Sequence, residues 1–379
     1  MSETKQVVVL GAGLVGRAMA LDLALEPAFD VTAVDLRADA LEDFPPAITT
    51  VQADVLEPGV VERLAEDADL VVCAVPGFMG YATLEAVLAA GVDVVDISFF
   101  PEDPFLLQPV AMEQGVRAVV DCGVAPGLCN ILAAQAASRL DRVDSYRCYV
   151  GGLPVIRRWP FEYGAVFSPT DVLEEYLRPA RVVENGDLVV KEALSDREML
   201  EFPGIGTLEA FNTDGLRTLL TTFPARELHE KTLRYPGHAN IMAVFRETGF
   251  LCKEPIQVGD ARVAPFDLSA RLLREYWTMA PGEEDVTIMR VEVEGYAGDE
   301  PRAFRYDLLD RFDADSGISS MARTTGYTAT LVARMVLDGT ITRTGVLPPE
   351  ELGGDALFFE RLMKGFEARE IIIQTTIVP

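Results

Sequence analysis

One stretch limits the fold more than any other: QVVVLGAGLVGRAMALDLA, Gln6 to Ala24. An apolar run of strand character, Val7–Leu10, meets Gly11, Gly13 and Gly16, and a helical pattern over Val15–Leu25 follows. Gly-x-Gly-x-x-Gly in that context is a strand-to-helix turn suited to a diphosphate. Gly11 permits the tight turn, Gly13 lets phosphate approach bare main chain, and Gly16 lets helix and strand pack closely. The helix start, with Leu14 and Val15, offers unbonded N–H groups and the positive end of the helix dipole. Asp35 closes the next apolar strand, Val31–Val34, nineteen residues beyond Gly16. A carboxylate there accepts hydrogen bonds from ribose hydroxyls and repels a 2′-phosphate, which favours NAD over NADP. Arg37, two residues on, is the feature that would accommodate the extra phosphate.

The same alternation continues. Strands are expected at Thr50–Gln52, Leu70–Ala74, Val92–Asp96 and Arg117–Val120, with helices over Val60–Ala65, Gly80–Ala90 and Phe105–Gln114 between them. Strands joined by crossover helices imply a doubly wound parallel sheet, a Rossmann fold, over residues 1–125. Strand ends on the glycine-loop side form the ligand crevice. They place Asp54 and Val55, Val75 and Pro76, Asp96, Asp121, Cys122 and Gly123 there. Asp54 reads equally as an exposed turn residue.

Beyond Val124-Ala125-Pro126-Gly127 the texture changes. RVVENGDLVVKEAL is a hairpin around Asn185-Gly186, the pair that a type I′ turn wants. EDVTIMRVEVEGYA and RAFRYDLLDRF alternate apolar and polar residues as an antiparallel pair does. Residues 126–320 therefore read as an inserted α+β domain on an open antiparallel sheet. Residues 321–379 turn helical again, with one helix ended by Gly339, and are expected to pack back on the first domain.

Composition excludes several classes. A net charge of −27 repels nucleic acid. Five Lys against 28 Arg in so acidic a chain fits either a salt-adapted source or a genome that favours Arg, Asp and Glu. Apolar runs are too short to span a membrane, and MSETK leads straight into a strand, so a cytoplasmic protein without a leader is expected. Five widely spaced cysteines with no CxxC pairs suggest free buried thiols and no metal site.

The runs VVDCGVAPGLCNILAAQ, CYVGGLP, FSPTDVLEEYLRPARVVENGDLV, FNTDGLRTLL, TLRYPGHANIM and GYTATLVARMVLDG together resemble the saccharopine dehydrogenase family, most of all its lysine 6-dehydrogenase branch. The resemblance covers nearly the whole chain. It implies a coenzyme-dependent dehydrogenase acting at the CH–NH2 group of an amino acid, an inserted domain whose sheet mediates dimerisation, and hence a homo-oligomer. Two departures bear on substrate. Ala125 stands where saccharopine reductases carry Asp, and Thr213 stands where they carry an Arg that binds a substrate carboxylate. L-lysine fits that loss better than saccharopine does, with carboxynorspermidine-type substrates as the alternative. A dinucleotide-binding sensor without turnover is the reading of another class.

Oxidising an amine requires a group to take its proton, and His is the side chain nearest the working pH. Of the two histidines, His229 lies in a charged run, so His238, after a Pro-Gly turn, is the candidate acid/base, with Asp96 and Asp121 as rivals. Arg217 and Arg234 are candidate forks for the α-carboxylate. Gly151 and Gly152, at a strand end, would let main chain approach the substrate.

Overall fold

A computed structural model describes residues 4–280 and 282–378 of the chain. Two units emerge, Met1–Gln135 with Ala322–Ile371, and Ala136–Met321 with Ile372–Pro379.

Apolar strands buried on both faces build the first unit, as a parallel sheet demands. Across the sheet the order is Gly345–Leu347, Arg117–Val119, Val94–Asp96, Leu70–Cys73, Lys5–Leu10, Phe29–Asp35 and Ile48–Gln52, all parallel. The order reverses between Lys5–Leu10 and Leu70–Cys73, so the glycine loop that follows Leu10 opens at the switch point of the sheet. Helices lie within a residue or three of their expected places, including Leu14–Leu23, Val60–Ala65 and Gly77–Ala89. The stretch expected as one helix over Phe105–Gln114 is a 3-10 turn, Pro104–Leu107, followed by a helix, Gln108–Gln114.

The seventh strand, Gly345–Leu347, comes from the far end of the chain, and specific polar contacts bind that segment in place. Arg117 pairs with Asp93 and donates to the carbonyls of Val336 (3.0 Å) and Ile341 (2.7 Å). Asp22, on the first helix, is buried and receives three charged or hydroxyl donors from the C-terminal segment. Arg334 (2.8 Å), Arg369 (2.8 and 3.0 Å) and Thr330 all donate to its carboxylate. The helix Ser320–Leu337 stops where Gly339 adopts φ +78°, a conformation that suits glycine after a helix end.

The second unit holds a large sheet with the path Glu198–Phe202, Gly206–Asn212, Glu227–Arg234, Arg142–Pro154, Asp285–Ala297, Glu300–Arg311 and Ile373–Val378. The hairpin Ala180–Glu184 and Asp187–Lys191 branches from it, turning at Asn185-Gly186 with both residues at positive φ. Sequence patterning suggested an antiparallel sheet, and this one is mixed: Glu227–Arg234 runs parallel to Arg142–Pro154. The long excursion between those two strands lets the chain return in the same direction, which a tight turn forbids. The final strand, Ile373–Val378, pairs with Glu300–Arg311, so the last residues belong to the second sheet.

Because Asp22 neutralises two largely buried guanidinium groups, Asp22→Ala should cost about 3 kcal/mol of stability by leaving them unpaired. A guanidinium chloride titration reads this directly; an unchanged midpoint would mean that the contacts are incidental.

Candidate functional site

The glycine loop separates what the chain needs for itself from what it leaves open. A side-chain carbon on Gly11 (φ +95°) would lie 2.5 Å from the Ala74 carbonyl oxygen, and one on Gly16 would lie 1.9 Å from that of Gly11. Both glycines serve close main-chain packing. Gly13 is different: a side-chain carbon there would meet nothing within 4 Å. It sits at the start of the helix Leu14–Leu23, which has no side-chain cap and no acidic residue in its first turn. The helix start is thus uncapped by any side chain, with room beside Gly13, and these features fit a diphosphate.

Asp35 ends its strand beside this loop. One carboxylate oxygen accepts from Ala12 N (2.8 Å), the other from Arg37 N (2.9 Å). The carboxylate is therefore anchored to the glycine turn, with the exposed Arg37 guanidinium 3.8 Å away. Asp54 takes the turn role that its sequence left open, with Oδ1 accepting from Leu56 N (2.9 Å). Val55 packs against the core beneath it. Val75 is buried and Pro76 precedes the helix Gly77–Ala89.

Further along the sheet edge, Asp96 and Asp121 are brought together, since Cys122 N donates to the Asp96 carbonyl (2.9 Å). Both side chains are buried. The two Asp96 carboxyl oxygens have no close hydrogen-bond partner among the described residues. Burial pushes this carboxyl up to about 7; Ser98 dipoles pull the other way and the Asp121 charge adds to the rise. Asp121 adopts φ +51°, a left-handed conformation at the crevice rim. Burial raises the Cys122 thiol far above its ordinary value, which excludes a thiolate nucleophile. Gly123 N donates to the Pro126 carbonyl (3.0 Å) in the turn that follows.

The second unit places the remaining candidates in packed surroundings. His238 is 0% exposed and both ring nitrogens are engaged. Nδ1 faces the Phe161 carbonyl (2.8 Å), an acceptor only, so Nδ1 carries the proton and Nε2 accepts from the Tyr176 hydroxyl (2.9 Å). Tyr176 in turn accepts from Arg234 Nε (3.1 Å). Burial, with the Arg234 charge behind it, pulls the imidazole down to about 3, so it stays neutral at any physiological pH. The imidazole thus links the Phe161 carbonyl to the Tyr176 hydroxyl. Arg234 is likewise consumed internally: it also donates to the Leu233 carbonyl (2.9 Å), lies 3.6 Å from Glu175 and stacks on the Tyr163 ring. Gly151 and Gly152 are buried against their own chain, where side-chain carbons would lie 2.5 Å from the Leu233 carbonyl and the Met321 and Val166 side chains. Arg217, at φ +52°, is buried in the loop after Asp214.

Residues that the sequence reading passed over carry much of the local chemistry. Glu230 is buried and accepts from the Thr213 hydroxyl (2.7 Å) and Gly215 N (3.1 Å). Burial pushes its carboxyl up to about 8, with Glu175 and Asp214 charges adding to the rise. Burial likewise lifts Glu175 to about 7, against the pull of Arg234. The run RELHEK reads as a charged surface, but strand alternation turns Leu228, Glu230 and Thr232 inward. That period-two pattern was the available signal. No group of His, Cys, Asp and Glu suited to a metal occurs among the described residues, and no helix among them is long and apolar enough to cross a membrane.

Comparison with known proteins agrees with this architecture. Residues 7–121 match the saccharopine dehydrogenase NADP binding domain and residues 123–372 the saccharopine dehydrogenase C-terminal domain. The chain is 23% identical to the mouse alpha-aminoadipic semialdehyde synthase over 92% of its own length and 46% of that protein, and so spans about half of that relative. It is 26% identical to the carboxynorspermidine synthase of Vibrio cholerae, over 80% of this chain and 78% of the other. The solved structure of apo saccharopine dehydrogenase (L-Glu forming) from Saccharomyces cerevisiae superposes with a TM-score of 0.81 at 19% identity, covering 99% of this chain and 100% of that one. That likeness establishes the fold.

A carboxyl whose folded value exceeds its unfolded value holds its proton more tightly when folded, so its contribution is full below the unfolded value and is lost as pH rises. For Glu230 the window runs from about 4.5 to about 8. Glu230→Gln keeps an oxygen for Thr213 and Gly215, and should raise stability relative to wild type at pH 8.5 while changing it little at pH 4. Denaturant titrations at the two pH values check this; equal differences at both would show that Glu230 stays ionised in the fold.

Proposed function

This chain belongs to the saccharopine dehydrogenase family, and on that premise we propose that it is an NAD-dependent dehydrogenase acting on the ε-amine of L-lysine. The matched family is one of oxidoreductases acting on amino-acid substrates. One observation carries the coenzyme preference: the Asp35 carboxylate, anchored by Ala12 N and Arg37 N at the end of its strand. A 2′-phosphate at that place would meet a fixed negative charge, whereas ribose hydroxyls would find acceptors. The matched family domain is described as NADP-binding, so the preference is a property proposed for this chain's own residue.

The residues present suit the coenzyme. Main-chain N–H groups of Gly13, Leu14, Val15 and Gly16 would hold the diphosphate, and Asp35 the adenosine ribose. Bound NAD supplies the hydride acceptor. Asp96 Oδ1 or Oδ2 then takes the amine proton: a carboxyl lifted to about 7 is matched to proton transfer near neutral pH. Within the second unit, Arg217, buried in the loop after Asp214, is the arginine proposed as a fork for a carboxylate.

Thr213 supports the smaller substrate. Its hydroxyl is tied to Glu230 and Thr232 (2.8 Å), so no guanidinium clamps a second carboxylate at that position. The similarity to carboxynorspermidine synthase favours a second reading, reductive joining of an amine to an aldehyde acid. Product analysis separates the two, because free ammonia forms only in the deamination.

With L-lysine and NAD the protein should generate NADH and ammonia in equal amounts. Asp35→Ser should raise the KM for NAD about tenfold and narrow the gap to NADP. Absence of lysine turnover with either coenzyme, or an Asp35→Ser enzyme with unchanged preference, would overturn the respective assignment.

A further inference from the structure

The loop that joins the strand Gly206–Asn212 to the helix Leu219–Thr222 runs inside the second unit. Thr213, Asp214, Leu216, Arg217 and Thr218 are all buried. Loops ordinarily run over the surface, where water satisfies their main chain. A buried one has to be held by other groups of the protein, and side chains hold this one from two directions. Arg181, on the strand Ala180–Glu184, grips Asp214 through its main-chain N–H (3.1 Å) and through Nε and Nη2 (2.9 Å each). Glu230, turned inward from its own strand, takes the Gly215 N–H (3.1 Å) and the Thr213 hydroxyl (2.7 Å) on one oxygen, Oε2. The Thr213 hydroxyl also meets that of Thr232 (2.8 Å), two residues along the strand from Glu230.

Glu230 approaches the loop closely. A side-chain carbon on Gly215 would lie 2.5 Å from the Glu230 carboxyl, so carboxyl and main chain can touch only because residue 215 is glycine. Two residues on, Arg217 holds φ +52°, in the left-handed region that few side chains adopt. Glycine takes that conformation without strain, so a loop that only had to turn the chain has no use for an arginine there. Strained residues persist where their surroundings over-determine them, and they gather at ligand sites.

We propose that Glu230 is a positioning residue: through Gly215 and Thr213 it fixes this loop so that Arg217 is held ready for the carboxylate of the substrate. The inference rests on the reading of Arg217 as that fork. A guanidinium binds a carboxylate through two parallel hydrogen bonds only when its main chain is kept in place. Arg181 secures the loop at Asp214, and Glu230 secures the next residue, Gly215, two short of Arg217. Glu230 itself touches no substrate in this arrangement. It acts on how tightly the carboxylate is gripped and leaves hydride transfer alone.

Steady-state kinetics of NADH formation with L-lysine, together with hydrogen exchange of the loop amides read by mass spectrometry, test the proposal. Glu230→Leu should raise the KM for L-lysine about tenfold and leave kcat and the KM for NAD within about twofold. It should also speed exchange over residues 215–218. Glu230→Gln, which keeps an oxygen for both donors, should restore the wild-type KM and the wild-type exchange. In an Arg217→Met background, Glu230→Leu should add little to the KM, because the group it positions is gone. Thr213→Val, which keeps the volume and removes one of the two donors, should move the KM the same way by a smaller factor, and it replaces Glu230→Leu if that variant melts early. A wild-type KM in these loop variants, an increase that multiplies with that of Arg217→Met, or unchanged loop exchange would overturn the positioning role. A wild type without lysine turnover, or an Arg217→Met enzyme with the wild-type KM, would instead overturn the reading of Arg217 beneath it, and the inference with it.

Discussion

Main-chain atoms pack tightly against one another at the switch point of the first sheet. Gly11 and Gly16 press against Ala74 and each other at distances that admit no side chain. This contact sets the first helix directly on the strand ends and leaves its opening turn uncovered. It also brings Ala12 N within reach of Asp35, which couples the diphosphate cradle to the ribose acceptor. Of the three glycines in this loop, Gly13 is the one spared by packing. A glycine that the fold does not need is best explained by something that approaches from outside.

A second theme is the handling of negative charge. The chain carries a large acidic excess, most of it on surfaces where water screens it. Asp96, Glu175 and Glu230 are different: burial raises each of them to about 7 or 8. Asp22, also buried, is instead paired with the guanidinium groups of Arg334 and Arg369. The contrast separates a structural carboxylate, fully paired, from carboxyls poised to gain or lose a proton near neutrality.

The first sheet was legible because apolar strands and crossover helices alternate with clear periods, and because glycine spacing has few mechanical meanings. Fold class followed from those signals, whereas the family came from the resemblance carried by runs such as VVDCGVAPGLCNILAAQ and TLRYPGHANIM. The second unit was read less well. Mixed strand direction depends on where a long excursion returns, and local patterning does not encode that. His238 drew attention by rarity and by its Pro-Gly turn, but a residue that starts a helix can point inward, and this one does. Arg234 and the paired glycines Gly151 and Gly152 likewise sit in packed surroundings, against Tyr176, Leu233 and Val166, which their chemistry did not announce. Glu230 was hidden inside a charged run until strand alternation turned it inward.

Titration calorimetry of NAD into wild type and Gly13→Val addresses the central claim most directly. A side chain at Gly13 meets no part of the protein, so the variant should melt as wild type does. The account predicts that wild type binds NAD and that Gly13→Val weakens binding by at least about a hundredfold. No measurable affinity in wild type, or equal affinity in the folded variant, would contradict it.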